Sequence, residues 1–257
     1  FSEAKRHGVP CLILCNSDWF PYPTVFAAAA RCVDPRLAIP VRQWLTHEML
    51  SQALLLATLL PLPPPPSFAQ RWRRLQTRAA IRDFGVFTPA AAAAVNDAQA
   101  GLTFIHAMVP HPPWIFDRKR GEFTDAPGST YLDNLALADR TVAQVRAAME
   151  ARGNWQDTSF IVLSDHWWRN SPANPGRRDH RVPFLLKLAG QRTGVEYASP
   201  FSTVLLHDLT LALLRRELRQ PGDVVRWLDR HRTFGESPLT VDPTAAPVPY
   251  STSETAP

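Results

Sequence analysis

Apolar positions along the chain fall into two textures. In Val9–Cys15 (VPCLILC), Leu102–Val109 (LTFIHAMV), Thr158–Leu163 (TSFIVL) and Val182–Leu188 (VPFLLKL) they run almost unbroken. Such runs are short for helices, and polar or turn residues bound them, so they predict buried strands. Elsewhere the apolar residues recur at helical spacing. Tyr131–Arg152 predicts an amphipathic helix with Leu135, Ala138, Val142, Val145 and Met149 on one stripe. Gly153 stands where a helix stop belongs. Ser2–His7, Gln43–Leu60, Phe68–Phe84, Ala90–Ala98 and Leu205–Leu218 predict further helices, and the run PLPPPP (Pro61–Pro66) ends the second of these.

Strands alternating with helices predict an α/β fold with a mainly parallel central sheet flanked by helices. The strands over 102–109, 158–163 and 182–188 are expected in one sheet. The helix 131–152 then serves as the right-handed crossover between the first two. Residues 1–234 read as one domain with a helical insertion at about 40–100. The Pro-, Ser- and Thr-rich stretch 235–257 reads as a loosely ordered tail.

With 257 residues, 45% of them hydrophobic, the chain has the material for a sizeable core. Its net charge of +5 comes almost wholly from arginine, since Lys5, Lys119 and Lys187 are its only lysines. Those arginines are scattered and accompany no nucleic-acid-binding motif, so no nucleic-acid partner is expected. The longest apolar run, Met49–Leu60, is about a dozen residues against the roughly 20 that span a bilayer. No membrane span is expected in this chain, and its compartment stays open. Cys11, Cys15 and Cys32 form neither a disulfide framework nor a zinc knuckle. They read as buried thiols.

In open parallel sheets, ligands bind beyond the carboxyl ends of the strands. Three of the predicted strands run into polar groups there. Val9–Cys15 leads to Asn16 and Asp18, Leu102–Val109 to His111, and Thr158–Leu163 to Ser164, Asp165 and His166. A carboxylate and an imidazole leaving one strand together make a half-site for a divalent cation. His106, inside its strand, reads as a packed core histidine.

The run TSFIVLSDHWWR resembles the strand-plus-SDH metal motif of the sulfatases and of the phosphoethanolamine and glycerol-phosphate transferases, in the alkaline-phosphatase superfamily. FIHAMVPHPPW, the helical stretch STYLDNLALADRTVAQVRAAMEARGNWQDT, HRVPFLLKLAGQ and the opening FSEAKRHGVPCLILC resemble the segments around that motif, in order. The resemblance implies an alkaline-phosphatase-like fold. It implies that Asp165 and His166 ligate a divalent metal ion (Ca, Zn or Mn), and that His111 and His180 contact the sulfate or phosphate group. Arg169 is a further candidate anion contact. The implied reaction is metal-dependent hydrolysis or transfer of a sulfate or phosphate ester through a covalent enzyme intermediate. Its substrate would be a small-molecule, sugar or lipid ester.

Two departures qualify the resemblance. The family usually has glycine after the SDH histidine, whereas Trp167 and Trp168 stand here, either as core filler or as a wall against a sugar or lipid. The family's first metal carboxylate and its nucleophile are also not recognisable. The chain opens on Phe1 as if within a helix, so the sequence predicts an N-terminally truncated domain whose nucleophile lies upstream and which is inactive as it stands. A phosphodiesterase or phosphomutase branch, or an inactive scaffold binding partners through its Trp-rich edge, are the alternative readings.

Overall fold

The consecutive burial of Cys11, Leu12, Ile13 and Leu14, each no more than 3% exposed, marks a strand covered on both faces. This is how the middle strand of a parallel sheet reads in sequence, without alternation. In the computed structural model, which describes residues 9–15, 31–33, 49, 66–168 and 180–232, strand β1 (Cys11–Cys15) lies between β2 (Arg31–Val33) and β3 (Leu102–His106). Both pairings are parallel, Ile13 standing beside Cys32 and Phe104. Burial pushes the Cys11 thiol above its usual pKa, as an inert core cysteine requires. Gly101 admits the chain to β3. A Cβ there would stand 2.9 Å from Val9 Cγ1, while the Gly101 amide donates to the Pro10 carbonyl. The Cys15 side chain, Cys32, the helices expected at 2–7 and 43–60 and the tail 235–257 lie outside the described side chains and residues.

The chain divides into two units, Phe1–Trp155 and Gln156–Pro257. In the first, helix α1 (Pro66–Ala94) replaces the two helices expected at Phe68–Phe84 and Ala90–Ala98. It runs straight through Pro89, although an interior proline costs a helix about 3 kcal/mol. The reason is visible in its buried residues. Phe84, Phe87, Ala91 and Ala94 form one stripe that continues across the proline, so the apolar face holds together what the lost hydrogen bond loosens.

Helix α2 (Tyr131–Arg152) has the expected bounds and ends on Gly153 in the left-handed region, φ +82°. Its buried face keeps Val145 and Met149 of the predicted stripe and differs in the rest. Asn134, Leu137, Thr141, Val145 and Met149 face inward, and Leu135 is 44% exposed. A polar asparagine takes the inward position because it has backbone partners there, described below. Helices α1 and α2 pack together, and at their ends the Asn96 and Asn154 amides donate to the carbonyls of Ala148 and Val95. A short antiparallel pair, β4 (Phe116–Asp117) and β5 (Glu122–Phe123), brings Phe123 against Phe84 and Phe116.

In the second unit, β6 (Phe160–Leu163) and β7 (Phe184–Lys187) pair antiparallel, Leu163 opposite Phe184. The expectation that they share one parallel sheet with β3 is not met among the described residues; they form a separate ladder. Parallel neighbours need a crossover segment. The stretch 164–183 carries Pro172, Pro175, Gly176 and Pro183, residue types that disfavour the helix such a crossover usually contains. The single helix expected over Leu205–Leu218 is also corrected. Helix α3 (Leu206–Leu214) stops before Arg216, which has φ +59°. A further helix, α4 (Pro221–His231), follows. Its Val224, Trp227 and Leu228 join Leu188, Leu209, Ala212 and Leu218 in the core of this unit. No helix among the described residues is long and apolar enough to cross a membrane.

Candidate functional site

The antiparallel register of β6 and β7 decides where the candidate residues fall. Because Leu163 pairs with Phe184, the residues leaving β6 and those entering β7 meet at one end of the ladder. Ser164, Asp165, His166 and Trp167 come from the first set and His180 from the second. Ser164 Oγ donates to the His166 carbonyl at 2.7 Å, folding the turn onto itself. Asp165 and His166 are exposed there, as is His180. The His180 ring packs on the Trp167 indole, with centroids 4.8 Å apart and planes tilted by 49°.

The hydrogen bond of His166 fixes its chemistry. Its Nδ1 lies 2.8 Å from the Trp167 carbonyl oxygen. A carbonyl only accepts, so Nδ1 carries the proton, and in the neutral ring Nε2 keeps its lone pair. A histidine prepared for a metal ion has this arrangement, one nitrogen donating to a backbone oxygen and the other left to ligate. For a divalent cation, the Asp165 carboxylate and His166 Nε2 are fitting donors, two of the roughly four that a site requires. Among the described residues, no three His, Cys, Asp or Glu side chains gather as a metal cluster. Asn16, Asp18 and Arg169 lie outside the described residues.

His111 belongs to the first unit, where it is exposed. Its Nδ1 meets the Pro112 carbonyl at 2.8 Å, so this ring too presents Nε2 outward. Its segment, 109–113, contains cis peptides before Pro110 and Pro113 and belongs to no helix or strand. The Asn134 side chain, on the first turn of α2, is bonded at three points to this segment and to Ile115 just beyond it. The Asn134 amide donates to the carbonyls of His111 and Pro113 at 3.0 and 3.1 Å, and its oxygen accepts from the Ile115 amide at 2.9 Å. Asn134 is fully buried. His106, at the end of β3, is half-buried.

Asp133 completes this support. Its carboxylate accepts from the Thr130 hydroxyl at 2.7 Å and the Thr130 amide at 2.8 Å, closing a capping box, and from the Arg118 amide at 3.3 Å. The Thr130 hydroxyl bond foremost, then the backbone amides and the Arg118 guanidinium, hold this carboxyl below the usual aspartate pKa. A lowered folded-state pKa gives stability that is present above the unfolded value of about 4 and lost as pH falls through the folded value. Urea midpoints of the wild type should therefore drop between roughly pH 5 and 2 more steeply than those of Asp133→Asn. Equal slopes would show that the carboxylate contributes nothing. Neither Asp133 nor Asn134 was singled out in the sequence, although Thr130-x-x-Asp133 before an apolar run is a legible helix-start signal.

A family model described as Sulfatase matches residues 82–214, more than half of the chain. The chain belongs to the sulfatase family. Membership brings an α/β alkaline-phosphatase-like fold and, at the coarse level, sulfatase-like hydrolase or transferase activity of a family that generally uses a divalent metal. His111, Asp165, His166, Arg169 and His180 all lie within the matched stretch. No curated protein and no solved structure gives a significant match.

Proposed function

We propose that this sulfatase-family chain takes part in metal-dependent hydrolysis or transfer of a sulfate or phosphate ester through a covalent enzyme intermediate. The observation that supports this most is the end of the β6–β7 ladder. An adjacent carboxylate and imidazole stand there, the imidazole with Nε2 free, and a second imidazole packs on the neighbouring Trp167 indole. Asp165 and His166 would hold the divalent ion, which when bound offsets the negative charge of the ester oxygens.

His180 contacts the sulfate or phosphate group, donating a hydrogen bond to an oxygen whose charge grows in the transition state or protonating the leaving oxygen. His111, with Nε2 outward, takes the same kind of role. Arg169 is a further anion contact. The nucleophile is expected on a segment N-terminal to those that carry the family likeness. Water or an alcohol then resolves the intermediate, which distinguishes hydrolase from transferase. The substrate is a small-molecule, sugar or lipid ester.

The test uses the full polypeptide with calcium, zinc or manganese and aryl sulfate and aryl phosphate esters. Turnover should require metal and fall at least roughly a hundredfold in His180→Ala, the range expected for a lost acid or oxyanion donor. Full activity in that variant, or turnover indifferent to chelation, would remove the proposal.

A further inference from the structure

We propose that Trp167 is a positioning residue that sets both histidines of the ladder end at once. This deepens the functional reading above and rests on it. The two contacts come from different parts of one residue. Its backbone carbonyl receives the His166 Nδ1 proton at 2.8 Å and so turns Nε2 outward. Its indole packs on the His180 ring at 4.8 Å between centroids.

His180 needs such a partner. It is exposed and stands four residues before β7 begins. An exposed imidazole in that position spreads over several rotamers, and a contact that selects one improves its aim at a bound group. An indole face suits this task, because tilted and offset aromatic pairs are attractive beyond their buried area. The turn that carries Trp167 is itself fixed by the Ser164 hydroxyl on the His166 carbonyl, so the indole starts from a defined place. The family's usual glycine could supply the carbonyl at this position but no ring. Trp167 therefore gives this chain a coupling between its metal-binding turn and its anion-contacting histidine that the usual glycine cannot provide.

The test follows the His180 ring protons by NMR in the full chain, identified among the eight histidines by their disappearance in His180→Gln. In the wild type the indole ring current should shift them upfield. Trp167→Phe should retain part of that shift, and Trp167→Ala should lose it while the dispersion of core methyl signals stays intact. Manganese then supplies the second readout. Relaxation enhancement at His180 should fall about threefold in Trp167→Ala, as the released ring spreads over three staggered wells, while enhancement at His166 persists. An unshifted His180 ring in the wild type, or equal enhancement in the wild type and Trp167→Ala, overturns the positioning role alone. No enhancement at His166 in the wild type means that the metal reading itself fails, and the proposal falls with it.

Discussion

Replacing Asn134 with leucine is expected to destabilise the 1–155 unit by about 3 kcal/mol. The volume change is small, so the loss comes from hydrogen bonds. The Ile115 amide, in a residue only 3% exposed, loses its acceptor, and the carbonyls of His111 and Pro113 lose their donor. An orphaned buried amide alone costs about 1–3 kcal/mol, and each remaining bond about 0.5–1.5 kcal/mol. Asn134→Asp should be at least as damaging near neutral pH, since it keeps an acceptor for Ile115 but turns a buried charged oxygen toward both carbonyls. Urea denaturation followed by circular dichroism measures the difference. A loss below about 1 kcal/mol in Asn134→Leu would mean that the loop carrying His111 is held by something other than this side chain.

That clamp also shows where sequence reading stops. The helix 131–152 was legible to the residue, because its apolar spacing and Gly153 agree. Its buried face was legible only in part, at Val145 and Met149. The pattern favoured Leu135, whereas the fold turns Asn134 inward, because only tertiary neighbours reveal which polar group has three backbone partners waiting. The break expected between Phe84 and Ala90 is absent for a related reason: local rules disfavour a helix through Pro89, and the Phe84–Ala94 stripe overrides them. Helix α4 was missed although Pro221, Asp223 and the spacing of Val224, Trp227 and Leu228 announce a capped amphipathic helix.

The site was legible as a list and less so as an arrangement. Asp165, His166 and His180 were each picked from the sequence. Their placement at one end of the ladder follows from the antiparallel return of β7 beside β6, whereas the sequence suggested a larger parallel sheet. The strands themselves do not distinguish the two pairings, since both are short apolar runs. Hydrogen-bond detail was beyond reach altogether. The tautomer of His166 follows from a carbonyl whose position only the folded turn defines.

Asp165→Ala should weaken binding of zinc or manganese at least tenfold while leaving the fold intact. Outer partners of metal ligands already cost roughly 10–100-fold in affinity when removed, and a direct ligand is worth no less. The side chain is exposed, and exposed substitutions away from caps and cores usually change stability by no more than about 0.5 kcal/mol. Affinity should therefore drop without a matching change in the urea midpoint. Calorimetric titration of both proteins with each metal gives the comparison. Parallel losses of affinity and stability would assign Asp165 a structural role instead.

The claim on which the functional account depends is that His166 offers Nε2 to a metal ion beside Asp165. Titrating zinc into the protein with 15N-labelled histidine tests it at the atom concerned. The account predicts that the Nε2 resonance of His166 moves on zinc addition while Nδ1 keeps its proton, bonded to the Trp167 carbonyl. It predicts the same movement to be lost in Asp165→Ala. A His166 ring that ignores zinc, or one that binds it through Nδ1, would contradict the account.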